Sequence, residues 1–314
     1  MADRFARIDP QTLVTPFQDH GAALALVDLQ DLAPDAVRHP PPCPLIGLGD
    51  RDHPAAACCD LLVEPPVSLD MLVTAIEAQP KAAAVLVQLL RLTDGMDMGA
   101  ALVAESMAYG LLQGSAGHAR WLAEREPQGQ YPPGAVHVLR DGDRLDICLD
   151  RPEADNAIDR AMRDALRDAF DLAALDRDIA SIRLRSTGRS FSLGADLAEF
   201  GTTRDPATAH AIRMATLPAH AMAGCADRLD VHVQGGCVGS GLEMAAFAGH
   251  LTASRLAWFQ LPELAMGILP GAGGCVSVAR RIGRQRAALM MLSGRRISAR
   301  TALDWGLVDA IMDG

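Results

Sequence analysis

Glu243 and Glu263 are the residues of this chain best placed to do chemistry. Both lie in the stretch 234–274, QGGCVGSGLEMAAFAGHLTASRLAWFQLPELAMGILPGAGG. Gly239-Ser240-Gly241 leads into an apolar helical run, Leu242 to Ala248. A helix beginning there leaves its first backbone N–H groups unpaired at the positive end of its dipole, and Glu243 falls in that first turn. Glu263 follows Trp258-Phe259-Gln260-Leu261-Pro262, an apolar segment cut by proline, where a carboxylate is poorly hydrated. Two carboxyl groups in partly apolar settings suit general acid–base chemistry on an uncharged substrate.

The elements that must hold these residues form two stretches. In the first, Ala22 to Leu29, Leu45 to Leu48 and Leu61 to Val63 read as short buried strands, and Pro34 to Arg38 as a helical turn. Ser68 caps a helix with Leu69, Leu72, Val73 and Ile76 on one face. Ala82 to Leu92 reads as a strand, because Val85-Leu86-Val87 is at its centre. Together these predict a small α/β unit over 20–95. Met98 to Leu112 and His118 to Arg125 predict helices broken at Gly114 and Gly117. Glu105 and His118 read there as residues of a solvated face rather than as catalytic groups. After the linker at 126–134 the rhythm changes. Asp141-Gly142-Asp143 joins Val136–Leu139 to Leu145–Leu149 as a hairpin. Asp159 caps an amphipathic helix with Met162, Leu166, Ala169 and Phe170 inside, and Ile179 to Leu184 is a strand. Phe191 to Leu197 is a turn into a short helix, 206–226 is helical, and Leu229 to Val233 is a strand. Helices follow at Val276–Ile282, Arg286–Leu292 and Ala299–Trp305, the last capped by Ser298, and Leu307 to Met312 is a final strand. The division is 1–130 and 131–314.

Composition limits the rest. In 314 residues, 49% are apolar and 22% charged, as in a globular protein with a sizeable core. A net charge of −10 argues against a nucleic-acid or anionic-membrane binder. It leaves room for an anionic small ligand held by local arginines and helix N-termini. The seven cysteines are odd in number and lack metal-ligand spacing, which suits reduced thiols in a cytoplasmic protein and no metal site. No apolar run approaches the roughly 18 residues of a membrane span, and the start MADRFARIDP has no signal-peptide core.

RPEADNAI, SFSLGADLAEF, VQGGCVGSGLEMA, WFQLPELAMGILPGAGG and ISARTALDWGLVD occur in that order. With these motifs, residues from about 135 to 314 resemble the crotonase superfamily, the enoyl-CoA hydratase/isomerase family. The resemblance implies an α/β fold, a spiral of ββα units, here preceded by the small α/β unit and helical region. It also implies an acyl-CoA thioester as substrate, no cofactor beyond the coenzyme A of that substrate, and a homo-oligomer, trimer or hexamer. By motif position, the backbone N–H groups of Ala195 and Ser240 form an oxyanion hole for the thioester enolate. Losing one such fixed donor commonly costs about 3 kcal/mol. Ser240 stands where many members have glycine, which is tolerable if the backbone there avoids positive φ. Gly194, Asp196, Leu197 and Gly239 belong to the same substrate-binding turns, Asp196 foremost as the cap of the next helix. Arg185 and Arg189 are candidates for the CoA phosphates, with solvated side chains as the alternative.

The family's hydratases use two glutamates that align with Glu243 and Glu263. The implied reaction is addition of water across the 2,3 double bond of an enoyl-CoA. Glu243 deprotonates the water attacking C3, and Glu263 supplies a proton to C2. The alternatives are another acyl-CoA enzyme of the superfamily (isomerase, hydrolase or lyase) and a non-catalytic, partner-binding subunit of the same fold. Members of the family continue for several helices beyond GLVD. The expectation here is that residues 98–125 stand in for those helices, over the acyl pocket or at a subunit contact.

Overall fold

The computed structural model describes residues 22–33, 39–126, 129 and 131–312. The turn expected at 34–38 lies outside these. The chain begins with β1 (Ala25–Asp28), β2 (Leu45–Leu48) and β3 (Leu61–Leu62), a three-stranded parallel sheet in that order. Four helices follow: α1 (Leu69–Ala78), α2 (Pro80–Thr93), α3 (Met98–Gln113) and α4 (Ala116–Glu124). Ser68 caps α1 as expected, its Oγ accepting the Met71 N–H.

Two expectations fail here. Residues 82–92 belong to α2, not to a strand. Pro80 sits in its first turn, where a missing N–H costs nothing. Ala82, Ala83, Leu86, Val87, Leu89 and Leu90 are all buried, at helical spacing. Gly117 does not break a helix. The break is at Gly114-Ser115, and Gly117 lies inside α4, whose cap is the Ser115 hydroxyl.

The main sheet comes next: β4 (Ala135–Asp141), β5 (Arg144–Asp150), α5 (Arg160–Leu175), β6 (Ser181–Ser186), α6 (Pro206–Thr216), α7 (Ala219–Ala223) and β7 (Leu229–Val233). The helical stretch 206–226 is thus two helices, divided at Leu217-Pro218. Then come β8 (Gly236–Val238), α8 (Ser240–Ala245), β9 (His250–Ser254), β10 (Trp258–Gln260), α9 (Gly274–Ile282), α10 (Arg284–Ser293), β11 (Ile297–Ser298), α11 (Ala299–Trp305) and β12 (Ala310–Met312). Six strands pair in the order β12-β9-β7-β6-β5-β4, all parallel except the β4–β5 hairpin. A separate sheet has the order β11-β10-β8.

One apolar core runs through the molecule. Leu72, Ile76, Leu86 and Leu90 of the front helices join Leu145, Ile147, Phe170, Leu184 and Phe259 in a single buried cluster. A smaller cluster under the first sheet holds Val27, Leu29, Leu45, Cys59 and Leu62.

Candidate active site

The sheet register brings the two glutamates together. β8 and β10 run parallel, with Gly236, Cys237 and Val238 opposite Trp258, Phe259 and Gln260. Their carboxyl ends therefore lie side by side, and the Gly239 N–H donates to the Gln260 carbonyl at 3.0 Å. β8 turns at Gly239 into α8, which carries Glu243, while β10 continues into the short 3₁₀ turn Glu263–Met266. Twenty residues of sequence separation thus end at one wall. Gly239 has φ 49° and ψ −128°, and a Cβ there would lie 2.8 Å from Glu263 Oε1. Glycine alone fits that turn. Ser240 next to it is helical, so its side chain costs the turn no strain: among described non-glycine residues only Asp155 and Asn156 have positive φ.

The segment 191–195 runs alongside β8. The Ser192 N–H donates to the Gly236 carbonyl at 3.2 Å, and the Val238 N–H to the Ser192 carbonyl at 2.9 Å. A Cβ on Gly194 would lie 3.7 Å from Gly239 Cα, so the two glycine turns touch. The N–H groups of Ala195 and Ser240 follow these turns and donate to no acceptor among the described residues.

A cavity of about 680 Å³ opens here. Gly194, Ala195, Asp196, Leu197, Gly239, Ser240, Glu243 and Glu263 line it, eight of the ten site residues expected from the sequence. Arg185 is not among its lining residues, and neither is Arg189. The Arg189 guanidinium donates to both oxygens of Asp155, at 2.7 and 2.8 Å, on the exposed surface. Asp196 caps the following turn by accepting the Ala198 N–H at 2.9 Å, and its other oxygen pairs with buried Arg151 at 2.8 Å.

Both glutamates are buried, 2% and 8% exposed, in spite of their charge-bearing ends. Glu243 Oε2 accepts the N–H groups of Ala272 and Gly274, at 2.7 and 2.8 Å. Burial pushes its carboxyl up to about 7 against the pull of those amides. Glu263 Oε2 has no hydrogen-bond partner among the described residues. Burial first, and then the neighbouring Glu243 charge, holds Glu263 well above the usual carboxyl range.

The helices at 98–125 form another wall of the cavity, through Tyr109, Gln113 and His118. Arg125 of the same stretch donates to the carbonyls of Leu197 and Phe200. A solvated face for Glu105 and His118 is therefore wrong: both are 2% exposed. His118 Nδ1 is 2.9 Å from the Met266 carbonyl, and burial lowers its proton affinity, so the ring is neutral with Nδ1 as the donor. Glu105 accepts the N–H groups of Gly273 and Cys275, at 2.7 and 2.8 Å. The signal for it was in the sequence: it is the one charged residue of α3, with no basic partner a turn away. Tyr109 and Arg213, whose guanidinium is 4.6 Å from the Tyr109 ring centre, gave no such signal.

Known proteins resemble this chain over part of their length. The chain is 34% identical over 168 residues to 2,3-dehydroadipyl-CoA hydratase of Escherichia coli, covering 52% of this chain and 64% of that one. It is 31% identical over 176 residues to mevalonyl-coenzyme A hydratase of Beauveria bassiana, covering 54% and 63%. The chain thus spans just under two thirds of the length of both relatives. The crystal structure of enoyl-CoA hydratase from Thermoplasma volcanium superposes with a TM-score of 0.50 at 34% identity, over 57% of this chain and 72% of that one. Residues 145–313, more than half of the chain, match the sequence model of one family, described as enoyl-CoA hydratase/isomerase. With its crotonase fold, this chain belongs to the enoyl-CoA hydratase/isomerase family.

Proposed function

We propose that the protein is an enoyl-CoA hydratase, adding water across the 2,3 double bond of an enoyl-CoA thioester. The observation that carries this reading is the pair of buried carboxyls, Glu243 and Glu263, on one cavity wall beside the unpaired amides of Ala195 and Ser240. Glu243 is held near 7, and burial together with the Glu243 charge holds Glu263 well above the usual range, so ionising Glu243 favours keeping the proton on Glu263. Glu243 takes a proton from water as the oxygen bonds to C3. The C2–C3 electron pair moves through C1 onto the thioester oxygen, where the amides of Ala195 and Ser240 stabilise the negative charge. The enolate collapses as C2 takes the proton of Glu263. The cycle closes when the proton now on Glu243 returns to Glu263. Gly194, Asp196, Leu197 and Gly239 shape the thioester's seat, and no metal or redox group is needed for the sequence of steps.

Residues 98–125 supply the wall that faces the acyl chain, through Tyr109, Gln113 and His118. The CoA phosphates meet arginines at the rim. Arg160 and Arg163 line the cavity, whereas Arg189 serves only after leaving Asp155.

Crotonyl-CoA hydration, followed as loss of the enoyl-thioester absorbance, tests the reading. The wild type is expected to turn over. Glu243→Gln and Glu263→Gln are each expected to lower kcat about 10²–10⁴-fold, the usual worth of one positioned acid or base. Tight binding of the thioester without hydration by the wild type would instead mark another acyl-CoA reaction.

A further inference from the structure

Four successive backbone amides at the start of α9 alternate between two carboxyl groups. Those of Ala272 and Gly274 donate to Glu243 Oε2, at 2.7 and 2.8 Å. Those of Gly273 and Cys275 donate to Glu105 Oε1 and Oε2, at 2.7 and 2.8 Å. Glu243 comes from α8, within the family's matched region, but Glu105 comes from α3, which precedes it. Both side chains are 2% exposed, so the turn receives two carboxyl groups with almost no water between them. The fit is tight. A Cβ on Gly274 would lie 2.5 Å from Glu243 Cγ, and one on Gly271 would lie 2.1 Å from the Tyr109 ring, one turn beyond Glu105 on α3.

We propose that Glu105 is a positioning residue for Glu243: by holding the Gly273 and Cys275 amides, it fixes the turn so that the Ala272 and Gly274 amides converge on one oxygen of Glu243. Burial and the Glu243 charge raise the proton affinity of Glu105, but the geometry is what pins the turn: each oxygen of the carboxyl group holds one amide. The Gly274 amide between those two and the Ala272 amide just before them then point toward Glu243. Oε2 of Glu243 is thereby anchored, and Oε1, which makes no hydrogen bond to a described residue, is left to take the proton of water. The inference rests on the base role proposed for Glu243, and it gives the stretch before the family region a part in the chemistry.

Glu105→Gln tests it, since an amide has one acceptor where the turn presents two donors, and its own N–H₂ would face an N–H. Misplacing a reacting group by an ångström costs about 10²-fold. The expected result is a kcat for crotonyl-CoA lower by about that factor, with KM within about twofold. In a Glu243→Gln background, the same change is expected to cost less than about twofold, because the group being positioned is gone. Equal losses in both backgrounds, or a raised KM with unchanged kcat, would overturn the proposal. Glu105→Asp, one methylene shorter, is expected to reproduce the kcat loss if the glutamine variant does not fold. If neither variant folds, or if the wild type hydrates no enoyl-CoA and the function reading itself fails, amide hydrogen exchange on the wild type decides. Protection of all four amides at 272–275 supports the pinned turn, and exchange as fast as an open loop rejects it.

Discussion

Glu243 and Glu263 carry the same functional group, and their surroundings give them different proton affinities. Two amides favour the ionised form of Glu243 and offset part of its burial, leaving it near 7. Glu263 has an unpartnered buried oxygen and a charged neighbour, and both favour its neutral form. In the proposed reaction the base, Glu243, must be ionised and the acid, Glu263, protonated. Activity therefore rises with pH as Glu243 loses its proton, and falls at higher pH as Glu263 loses its own. The expected kcat/KM profile for crotonyl-CoA is bell-shaped, with its acid limb centred at about 7 in the wild type. A profile that falls steadily through that region would reverse the assignment. Two partly buried carboxyls in one region were legible from residue type and setting, and both line the cavity. The sequence does not display the four-amide turn that binds Glu243, because it closes only when α3 delivers Glu105 from 168 positions away.

At the scale of elements, short glycine turns decide where the amides point. The parallel pairing of β8 with β10 sets the strand ends together, and Gly239 then makes the turn that leaves the Ser240 amide open. Gly239→Ala puts a methyl group 2.8 Å from Glu263 Oε1, in a backbone conformation that L residues rarely adopt. We expect a stability loss of about 1–3 kcal/mol and a drop in kcat that exceeds it in proportion, measured by thermal melting beside the hydration assay. A variant with wild-type melting temperature and wild-type kcat would show that the turn does not set the amide. Such glycine punctuation is local, so it could be read from sequence, as could the caps at Ser68, Asp159 and Ser298. α2 could not. Val85 and Val87 favour a strand locally, but 14 residues, a first-turn proline and six buried apolar positions on one helical face outweigh that preference. Glu105 and His118 were misread for a related reason. Their partners lie on the Gly273–Cys275 turn and at Met266, which no periodicity within α3 or α4 reveals.

Across the whole molecule, the stretch before residue 130 is built into the same body as the family region. Asp60, 3% exposed, accepts from Arg91 Nε at 2.7 Å and from Arg284 Nη1 at 3.2 Å, tying the first sheet to α2 and α10. Glu64 takes Arg51 and Arg286 in the same way, and the apolar core is continuous from Leu72 to Phe259. Such anchoring lets α3 and α4 act as a fixed wall of the cavity. No described helix is long and apolar enough to cross a membrane. In the proposed reaction one thioester meets two amides and two carboxyls in this cavity, and a crystal structure with a saturated acyl-CoA bound is the decisive measurement. The thioester oxygen is expected about 3 Å from the amide nitrogens of both Ala195 and Ser240, with C2 and C3 between Glu243 and Glu263 and the acyl chain against Tyr109 and His118. A thioester seated away from those amides, or an acyl chain leaving the cavity on the side opposite the two glutamates, would contradict it.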